Sequence, residues 1–464
     1  MIENSFEVQE RKSFLDFKKS SHFRDLRDVD VEYQKLRLEK VILVGVWQRG
    51  SSTEKQAGES LEELALLAET AGAWVLGNVL IHRNLPDKKY YIGKGKLEDL
   101  EHLCYEEGAD TVVFDNDLSP SQRIAIENHL QIKVIDRTAL ILDIFALHAK
   151  SKEGKAQVEL AQLKYLLPRL RGWGQSMSRQ AGGQVGSSSA GMGSRGPGET
   201  QLELDRRALN KRITHLKKLL SKMEKDRITK RKNRQSRKVL SASIVGYTNS
   251  GKSSLLRALT GYAPLIQDAL FATVDTTTKR LRKDGEYSFT ISDTVGFISN
   301  LPTTLIEAFA STLEESVHSN LLVHVVDASS NNIEKNINVV NQILRDVRSE
   351  DNLGNIILHS KYRQTGSKEI LVFNKIDLLD SQTLEFLKMK YPEAVFISVK
   401  DNMGIKELKN SIYERLLDAI DAKEVVIPYE ENTRFSDYCK AGNIITQTFS
   451  NDGIHLLIAN SSKS

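Results

Sequence analysis

A glycine-rich string just past the middle of the chain has the residues needed to hold phosphate groups. It lies between an apolar, strand-like run and a helix-like stretch, the setting in which a G-x-x-x-x-G-K-S string binds a nucleotide. Backbone N–H groups would surround the phosphate oxygens, Lys252 would reach the β- and γ-phosphates, and the Ser253 hydroxyl would hold Mg²⁺. The predicted phosphate-binding residues are Gly246, Tyr247, Thr248, Asn249, Ser250, Gly251, Lys252, Ser253 and Ser254.

Two strings downstream could complete a magnesium site and respond to the γ-phosphate. Thr273 could reach Mg²⁺ from a mobile switch, although the run 276–278 offers three further threonines. Asp293 follows an apolar strand and would hold Mg²⁺ through water, while the Gly296 N–H would sense the γ-phosphate. The predicted switch residues are Phe271, Ala272, Thr273, Val274 and Asp275 in the first switch, and Asp293, Thr294, Val295 and Gly296 in the second.

Two further strings predict that the base is guanine. Asp377 follows an apolar strand, and its carboxylate could accept hydrogen bonds from the N1–H and 2-amino group of guanine, donors that adenine lacks. The segment 398–400 follows another strand, where backbone N–H groups could reach the guanine O6. The predicted guanine-binding residues are Asn374, Lys375, Ile376, Asp377, Ser398, Val399 and Lys400. Because all these strings occur in order, each beside an apolar strand, the sequence predicts a domain that binds GTP with Mg²⁺.

Two positions refine this prediction. Phe297 follows Gly296, where many GTPases place a glutamine that orients water, so we expect slow intrinsic turnover that a partner stimulates. Asn249 lies where GTPases that use K⁺ carry asparagine, which makes K⁺ a candidate cofactor. The alternative is an asparagine that merely suits the conformation of the loop.

The residues before this domain alternate between strand and helix patterns over 40–137, which predicts a small parallel α/β domain. Residues 115–117 follow its third predicted strand, at the edge where such sheets bind ligands. Capping of the next helix is the alternative that we favour for them. The run Gly93-Lys94-Gly95-Lys96 is a weak candidate for a second nucleotide site, because it lacks both a G-K-S/T ending and a full G-x-G-x-x-G pattern.

A helical hairpin with a basic surface is predicted over 138–238. Residues 138–181 look helical, and seven glycines within 182–198 predict a mobile loop. The helix that follows carries a 4-3-4-3 apolar seam at Leu209, Ile213, Leu216, Leu220 and Met223. Residues 205–238 hold fifteen Lys/Arg against three Asp/Glu, which favours contact with the phosphates of RNA over an ordinary solvated face. The candidate RNA contacts are Arg206, Arg207, Lys211, Arg212, Lys217, Lys218, Lys230 and Arg231.

Composition sets outer limits on the kind of protein. The chain has 464 residues, 40% of them hydrophobic and 27% charged, which is ordinary for a multidomain globular protein. The N-terminus does not resemble a secretory signal, and the apolar runs are too short for a membrane span, which takes about 18 residues or more. Two distant cysteines, Cys104 and Cys439, are expected to be reduced thiols. We therefore expect a monomer in the cytoplasm, with peripheral membrane association left open.

The sequence closely resembles the HflX family of the Obg–HflX GTPases over residues 40–420. The strings that carry the resemblance are 246–253, 271–273, 293–298, 114–122, 135–138, 153–155, 194–200 and 205–207. The resemblance implies binding to the large ribosomal subunit, with the N-terminal part near the peptidyl-transferase region, and splitting of stalled ribosomes under stress. It also implies ATP as a candidate ligand of the N-terminal domain. Two departures from the family pattern are the absence of a proline after Asp275 and the presence of Val399 where alanine is usual.

The expected architecture is α/β, with a P-loop GTPase domain preceded by a small parallel α/β domain and a helical hairpin. The expected segments are a charged leader (1–39), the N-terminal α/β domain (40–137), the hairpin (138–238, with its glycine-rich loop at 182–198), the GTPase domain (239–420) and a small α+β extension (421–464). The leading hypothesis is a GTPase that binds GTP and GDP and works on the large ribosomal subunit. Its rivals are an ATP-dependent RNA-remodelling protein and a GTP-gated regulator of a protein partner.

Overall fold

The computed structural model describes most of the chain. The described residues are 39–48, 53–172, 197–236, 240–261, 270–271, 273, 275–281, 289–299, 302, 305, 316, 318–349, 368–417, 422–429, 431, 434–436, 438, 444–450 and 453–459. The expected leader, most of the glycine-rich loop, Ala272, Val274 and Cys439 therefore lie outside the described residues. The chain divides into two compact units, one up to Ser221 and one from Lys222 onward.

The first unit contains a parallel four-stranded sheet in the order β2-β1-β3-β4. Its elements are β1 (Lys40–Trp47), α1 (Glu54–Thr70), β2 (Trp74–His82), α2 (Lys94–Glu107), β3 (Thr111–Phe114), α3 (Pro120–Leu130), β4 (Lys133–Asp136), α4 (Arg137–His148), α5 (Lys152–Leu166) and a 3₁₀ turn (Arg169–Gly172), with α6 (Pro197–Ser236) beginning in this unit. The central strands β1 and β3 are buried on both faces, as covering helices require. The predicted parallel α/β domain is confirmed.

Local capping explains where two helices begin. Helix α1 begins after Thr53, because Thr53 and Gln56 form a capping box in which each side chain accepts the other's backbone N–H. The helical stretch predicted over 138–181 is interrupted at Ala149, whose backbone is extended, and Ser151 caps the next helix by accepting the Gly154 N–H at 2.8 Å.

Helices α5 and α6 pack against each other through the predicted apolar seam. Leu209, Ile213 and Leu216 of α6 are buried against a group that includes Leu160 and Leu163 of α5. The Arg212 guanidinium makes two hydrogen bonds to the Glu159 carboxylate, the longer at 2.8 Å, and so ties the two helices together at the edge of this seam. The predicted pairing of these helices is confirmed.

We expected residues 115–117 to cap the next helix, α3, and this prediction was wrong. The cap is Ser119. The Ser119 Oγ accepts the Gln122 N–H, and the Gln122 side chain accepts the Ser119 N–H. Asp115 instead accepts a hydrogen bond from Arg137 at 2.7 Å, and the Asp117 carboxylate accepts one from the Thr138 hydroxyl at 2.6 Å. The two strings 114–122 and 135–138 therefore meet in a polar network at the carboxyl edge of the sheet.

Arg137 lies at the centre of this network and is 2% exposed. Its guanidinium pairs with both Glu63 and Asp115 and donates to the Ser60 hydroxyl at 3.3 Å. Burial of a charge is tolerated here because both partners carry the opposite charge and lie within hydrogen-bonding distance.

We expect Arg137→Ala to destabilise the first unit by about 3–5 kcal/mol, because Glu63 and Asp115 would keep largely buried charges without their cation. The matched control is Lys96→Ala, which breaks the exposed Lys96–Asp99 pair and should change stability by less than about 1 kcal/mol. Urea unfolding followed by circular dichroism measures both changes, and equal effects would contradict the role assigned to the network.

The second unit contains a six-stranded sheet in the order β10-β9-β8-β5-β7-β6, in which only the β6–β7 pair is antiparallel. Its elements are β5 (Ser241–Gly246), α7 (Lys252–Thr260), β6 (Thr277–Leu281), β7 (Phe289–Asp293), β8 (Leu321–Asp327), α8 (Ile333–Ser349), β9 (Lys368–Asn374), a 3₁₀ turn (Ile376–Leu378), α9 (Ser381–Lys390), β10 (Val395–Phe396) and α10 (Ile405–Leu417). The carboxyl ends of the parallel strands β5, β7, β8 and β9 meet at one edge, which brings the predicted strings together.

The C-terminal residues form a separate antiparallel sheet in the order β11-β13-β12, made of β11 (Ala422–Ile427), β12 (Ile444–Ser450) and β13 (Gly453–Ala459). These strands lie within the segment 421–464, which the sequence sets apart as a C-terminal extension. Among the described residues of the whole chain, no helix is both long and apolar enough to cross a membrane.

Candidate guanine-nucleotide site

The glycine-rich loop joins β5 to α7, and two of its glycines are required by close packing. At Gly246 a Cβ atom would lie 2.2 Å from the Val325 carbonyl oxygen of β8. Gly251 has a φ of +91°, and a Cβ there would lie 2.2 Å from the Asn374 amide nitrogen. Side chains at either position would push this loop away from the neighbouring strands β8 and β9.

Lys252 begins α7 and is 6% exposed. Its ammonium donates a hydrogen bond to the Tyr247 carbonyl oxygen at 2.7 Å. Burial lowers the pKa of Lys252 to about 8, while the nearby Asp293 carboxylate acts in the opposite direction. The lysine is thus a cation held inside the loop, and phosphate oxygens placed beside it would favour its charged form.

Three oxygen-bearing side chains converge at the start of α7. The Ser253 hydroxyl lies 2.7 Å from the Thr273 hydroxyl and 2.6 Å from an Asp293 carboxylate oxygen. Burial raises the pKa of Asp293, and the charge of Lys252 opposes that shift. Hydroxyl and carboxylate oxygens are the donors that Mg²⁺ prefers, so this group fits a magnesium ion. Of the candidate threonines, Thr273 lies in this group, whereas Thr277 and Thr278 lie in β6.

This group is distinct from a cage made only of ionisable side chains. Within the described part of the chain, no cluster of three or more His, Cys, Asp and Glu residues could hold a metal. Two hydroxyls and one carboxylate leave most of the coordination sphere of a magnesium ion to other ligands, as in sites where phosphate oxygens and water complete it.

Asn374 links three segments of the site. Its side-chain N–H donates to the Ser250 carbonyl oxygen at 2.9 Å, and its side-chain oxygen accepts the Val399 N–H at 3.2 Å. The Ser398 hydroxyl donates to the Asp377 carboxylate at 2.7 Å and so orients it. The loops that follow β5, β9 and β10 are therefore held in one arrangement.

A cavity of about 630 Å³ opens between these loops, a size that suits a nucleotide. Its walls include the predicted residues Asn249, Gly251, Ser254, Asn374, Lys375, Asp377, Val399 and Lys400. Ile376 begins the 3₁₀ turn that carries Asp377.

Sequence reasoning missed four residues of this site, including Ala258, which lines the cavity. Arg257 and Leu378 line the cavity, and both could have been found from spacing, because Arg257 lies one helical turn after Ser254 and Leu378 follows Asp377. Asp327 ends β8, and its carboxylate lies 2.7 Å from the Lys375 ammonium. Its position directly after an apolar strand was the available signal.

The remaining switch residues are packed into the domain. Thr294 is buried, and its hydroxyl donates to the Ile244 carbonyl oxygen at 2.8 Å. Val295 and Phe271 are buried too, and Asp275 is half-buried. Phe297 is 1% exposed and packs among apolar side chains of β5, β8 and α8. A phenyl ring in that position is part of the core and cannot orient water.

Two other features that the sequence singled out have local explanations. Asn249 has a φ of +57°, a left-handed conformation that asparagine tolerates well, so the backbone accounts for this residue type without a bound cation. Lys94 and Lys96 form ion pairs with Glu98 and Asp99 on the exposed face of α2, with N–O distances of 3.6 Å and 2.9 Å.

The candidate RNA-binding residues differ in their surroundings. The exposed ones are Arg206, Arg207, Lys211, Lys217, Lys218 and Lys230, all on α6. Arg207 is paired with Glu203 at 2.8 Å, and Arg212 is half-buried in its contact with Glu159. The side chain of Arg231 lies outside what the structure describes.

The fold and the converging loops define a P-loop GTPase, and GTPases of this class generally use Mg²⁺. Three family models match the chain: GTP-binding GTPase N-terminal over residues 58–146, GTP-binding GTPase Middle Region over 148–234, and 50S ribosome-binding GTPase over 241–361. The chain belongs to the HflX family of GTPases, as the sequence resemblance predicted, and it is an enzyme that binds and hydrolyses GTP.

Curated relatives named GTPase HflX match along nearly the whole chain. The protein of Caldanaerobacter subterraneus is 40% identical over 416 residues, which cover 90% of each chain. That of Alkalihalophilus pseudofirmus is 39% identical, covering 88% of this chain and 86% of its own. That of Escherichia coli is 36% identical, covering 89% of this chain and 92% of its own.

Proposed function

We propose that this GTPase binds the large ribosomal subunit in its GTP state and splits or rescues stalled ribosomes under stress, with hydrolysis stimulated by the ribosome. The observation that carries the proposal is the row of exposed cations on α6, within a segment whose local net charge is +12 in a chain of net charge +4. Such a segment needs a polyanionic partner, and ribosomal RNA is one. The match of residues 241–361 to a family described as 50S ribosome-binding GTPases supports the same partner.

In this proposal the residues of the nucleotide site act in three groups. Residues 246–254 hold the phosphates, with Lys252 at the β- and γ-phosphates. Ser253, Thr273 and, through water, Asp293 hold Mg²⁺, which would offset the charge of the phosphates when bound. Asp377 selects guanine, with Lys375 and residues 398–400 around the base. K⁺ remains a candidate second cation beside Asn249, and comparing turnover in KCl and NaCl tests that assignment.

The burial of Phe297 supports the proposal that a partner stimulates GTP hydrolysis. Since its ring packs in the apolar core, a water-orienting group has to come from elsewhere in this protein or from the ribosome. We therefore expect low turnover of the protein alone and a large increase when large subunits are added.

The test is cosedimentation with large ribosomal subunits in a non-hydrolysable GTP analogue, together with a GTPase assay. The variant carries Lys217→Glu and Lys218→Glu, two exposed positions of α6. We expect its affinity to fall at least tenfold and the salt dependence of binding to weaken by about one unit of log–log slope for each lost phosphate contact.

The matched control carries Lys388→Glu and Lys406→Glu, which make the same charge change at exposed positions of α9 and α10. It should bind like the wild type. If both variants lose affinity equally, the loss is caused by the change in net charge and not by the removal of cations from α6. If large subunits neither bind the wild type nor raise its turnover, the proposed partner is wrong.

A further inference from the structure

Tyr247, the second residue of the predicted phosphate-binding loop, makes a side-chain contact to the segment that directly follows the second switch. Its hydroxyl accepts the Ser299 backbone N–H at 2.7 Å and donates to the Ser299 Oγ at 2.8 Å. Ser299 lies three residues beyond Gly296, so the tyrosine holds the segment that follows the predicted γ-phosphate sensor. Both residues are half-buried, where hydrogen bonds are stronger than in open solvent.

The backbones of the two segments are paired at the same place. The Phe297 N–H donates to the Gly246 carbonyl oxygen at 3.1 Å, and the Thr248 N–H donates to the Phe297 carbonyl oxygen at 2.7 Å. Tyr247 and Phe297 thus form a parallel bridge beyond the end of the sheet. We name this bridge and the Tyr247–Ser299 contact together the switch clasp.

The switch clasp fixes the position of Gly296. A Cβ atom on Gly296 would lie 2.9 Å from a Thr248 methyl carbon and 3.0 Å from the Lys252 ammonium nitrogen. Gly296 is therefore held against the loop and beside the cation that is expected to meet the γ-phosphate. A shift of the segment 297–299 would move the Gly296 N–H, because Gly296 is bonded directly to Phe297.

The same structure brings Thr273 of the first switch to Ser253 and Asp293. In GTPases, a switch threonine reaches the magnesium site when the γ-phosphate is present and leaves it after hydrolysis. The switch clasp therefore coexists with the arrangement expected of the GTP state.

We propose that the Tyr247 hydroxyl is a positioning group that holds the second switch, through Ser299, in the arrangement that binds the γ-phosphate, and so favours GTP over GDP. The proposal rests on the nucleotide site proposed above. GDP has no γ-phosphate to meet Gly296, so its affinity should depend little on the clasp.

The test compares the dissociation constants of a non-hydrolysable GTP analogue and of GDP for wild type and Tyr247→Phe. We expect the variant to bind the GTP analogue about tenfold more weakly, the size of effect that one or two hydrogen bonds produce, and to bind GDP within about twofold of the wild type. Hydrogen exchange of residues 293–299 in the GTP analogue should become faster, because the Ser299 N–H loses its acceptor.

Ser299→Ala provides a second variant that removes only the hydroxyl and keeps the backbone N–H bond to Tyr247. Its effect should be smaller, about threefold, and the double variant should be no weaker than Tyr247→Phe alone, because both changes act on one contact. The matched control is Tyr429→Phe, which removes the hydrogen bond from a tyrosine hydroxyl to the Ser450 carbonyl oxygen in the C-terminal sheet and should leave both affinities unchanged.

Equal weakening of both nucleotides by Tyr247→Phe, or no change in either, would overturn the proposal, since the tyrosine would then only support the loop or do nothing. If the proposed nucleotide site itself were wrong, the binding measurements would give a different result. In that case Lys252→Ala would bind both nucleotides as the wild type does.

Discussion

Asp377→Asn is expected to weaken GTP binding by about a thousandfold or more and to let the protein bind xanthosine triphosphate. In the wild type, one carboxylate group would accept hydrogen bonds from both the N1–H and the 2-amino group of guanine. An asparagine side chain presents one acceptor and one donor, so its N–H₂ would face the 2-amino group of guanine. Xanthine carries a carbonyl at that position and would pair with the new side chain. Sites built on buried hydrogen bonds reject a mismatched partner by factors of this size.

Titration of the variant with fluorescent GTP and xanthosine nucleotides measures the change. Asp401→Asn is the matched control, because the Asp401 carboxylate also accepts from the Ser398 hydroxyl, at the longer distance of 3.4 Å, yet it does not line the cavity. It should alter GTP affinity by no more than a few-fold. A variant at Asp377 that still prefers GTP over xanthosine triphosphate would show that this carboxylate does not read the base.

Lys252→Ala is expected to reduce GTP affinity by at least a hundredfold and to abolish measurable hydrolysis. The substitution removes a buried cation from a loop whose other expected phosphate contacts are backbone N–H groups. Loss of a buried, hydrogen-bonded charge partner costs about 3–5 kcal/mol, and each 1.4 kcal/mol is a factor of ten in affinity. Equilibrium dialysis with labelled GTP and a phosphate-release assay measure the two effects.

The control for this substitution is Lys390→Ala, which removes an exposed lysine paired with Glu334 on the surface of the same unit. It should leave affinity and turnover unchanged, since exposed ion pairs contribute little. Thermal unfolding of both variants separates loss of binding from loss of fold. If Lys252→Ala retained hydrolysis at the wild-type rate, the phosphates would have to be held elsewhere in the chain.

The strings of the nucleotide site were predictable because each is local. A strand, a loop and a helix start that are adjacent in sequence are adjacent in space, so Gly246, Lys252 and Ser253 could be placed together without knowledge of the rest. The same holds for Asp377, which closely follows its strand. The order of these motifs along the chain predicted a GTP-binding domain, and the relatives then confirmed the family that the sequence resembles.

Roles predicted from charge alone held less often, because a charged side chain can pair with another residue of the same protein. Arg212 was a candidate RNA contact, but its guanidinium is engaged with Glu159 across the two helices. Asp115 and Asp117 were expected to cap a helix, but they pair with Arg137 and Thr138. The local sequence around a carboxylate does not indicate which distant residue will form a hydrogen bond with it.

By itself, the sequence determined the class of protein, the α/β architecture of both units, and the residue types available for phosphate, magnesium and guanine. These follow from short-range patterns, since strand alternation, glycine-rich turns and helix starts are set by neighbouring residues. Only the tertiary structure decided which contacts join the segments. It placed Thr273, and not Thr277 or Thr278, beside Ser253, and it brought Asp327 to Lys375 and Tyr247 to Ser299. Those pairs depend on strand order and loop packing between segments far apart in the chain, and a distance between two such side chains has no signature in either local sequence.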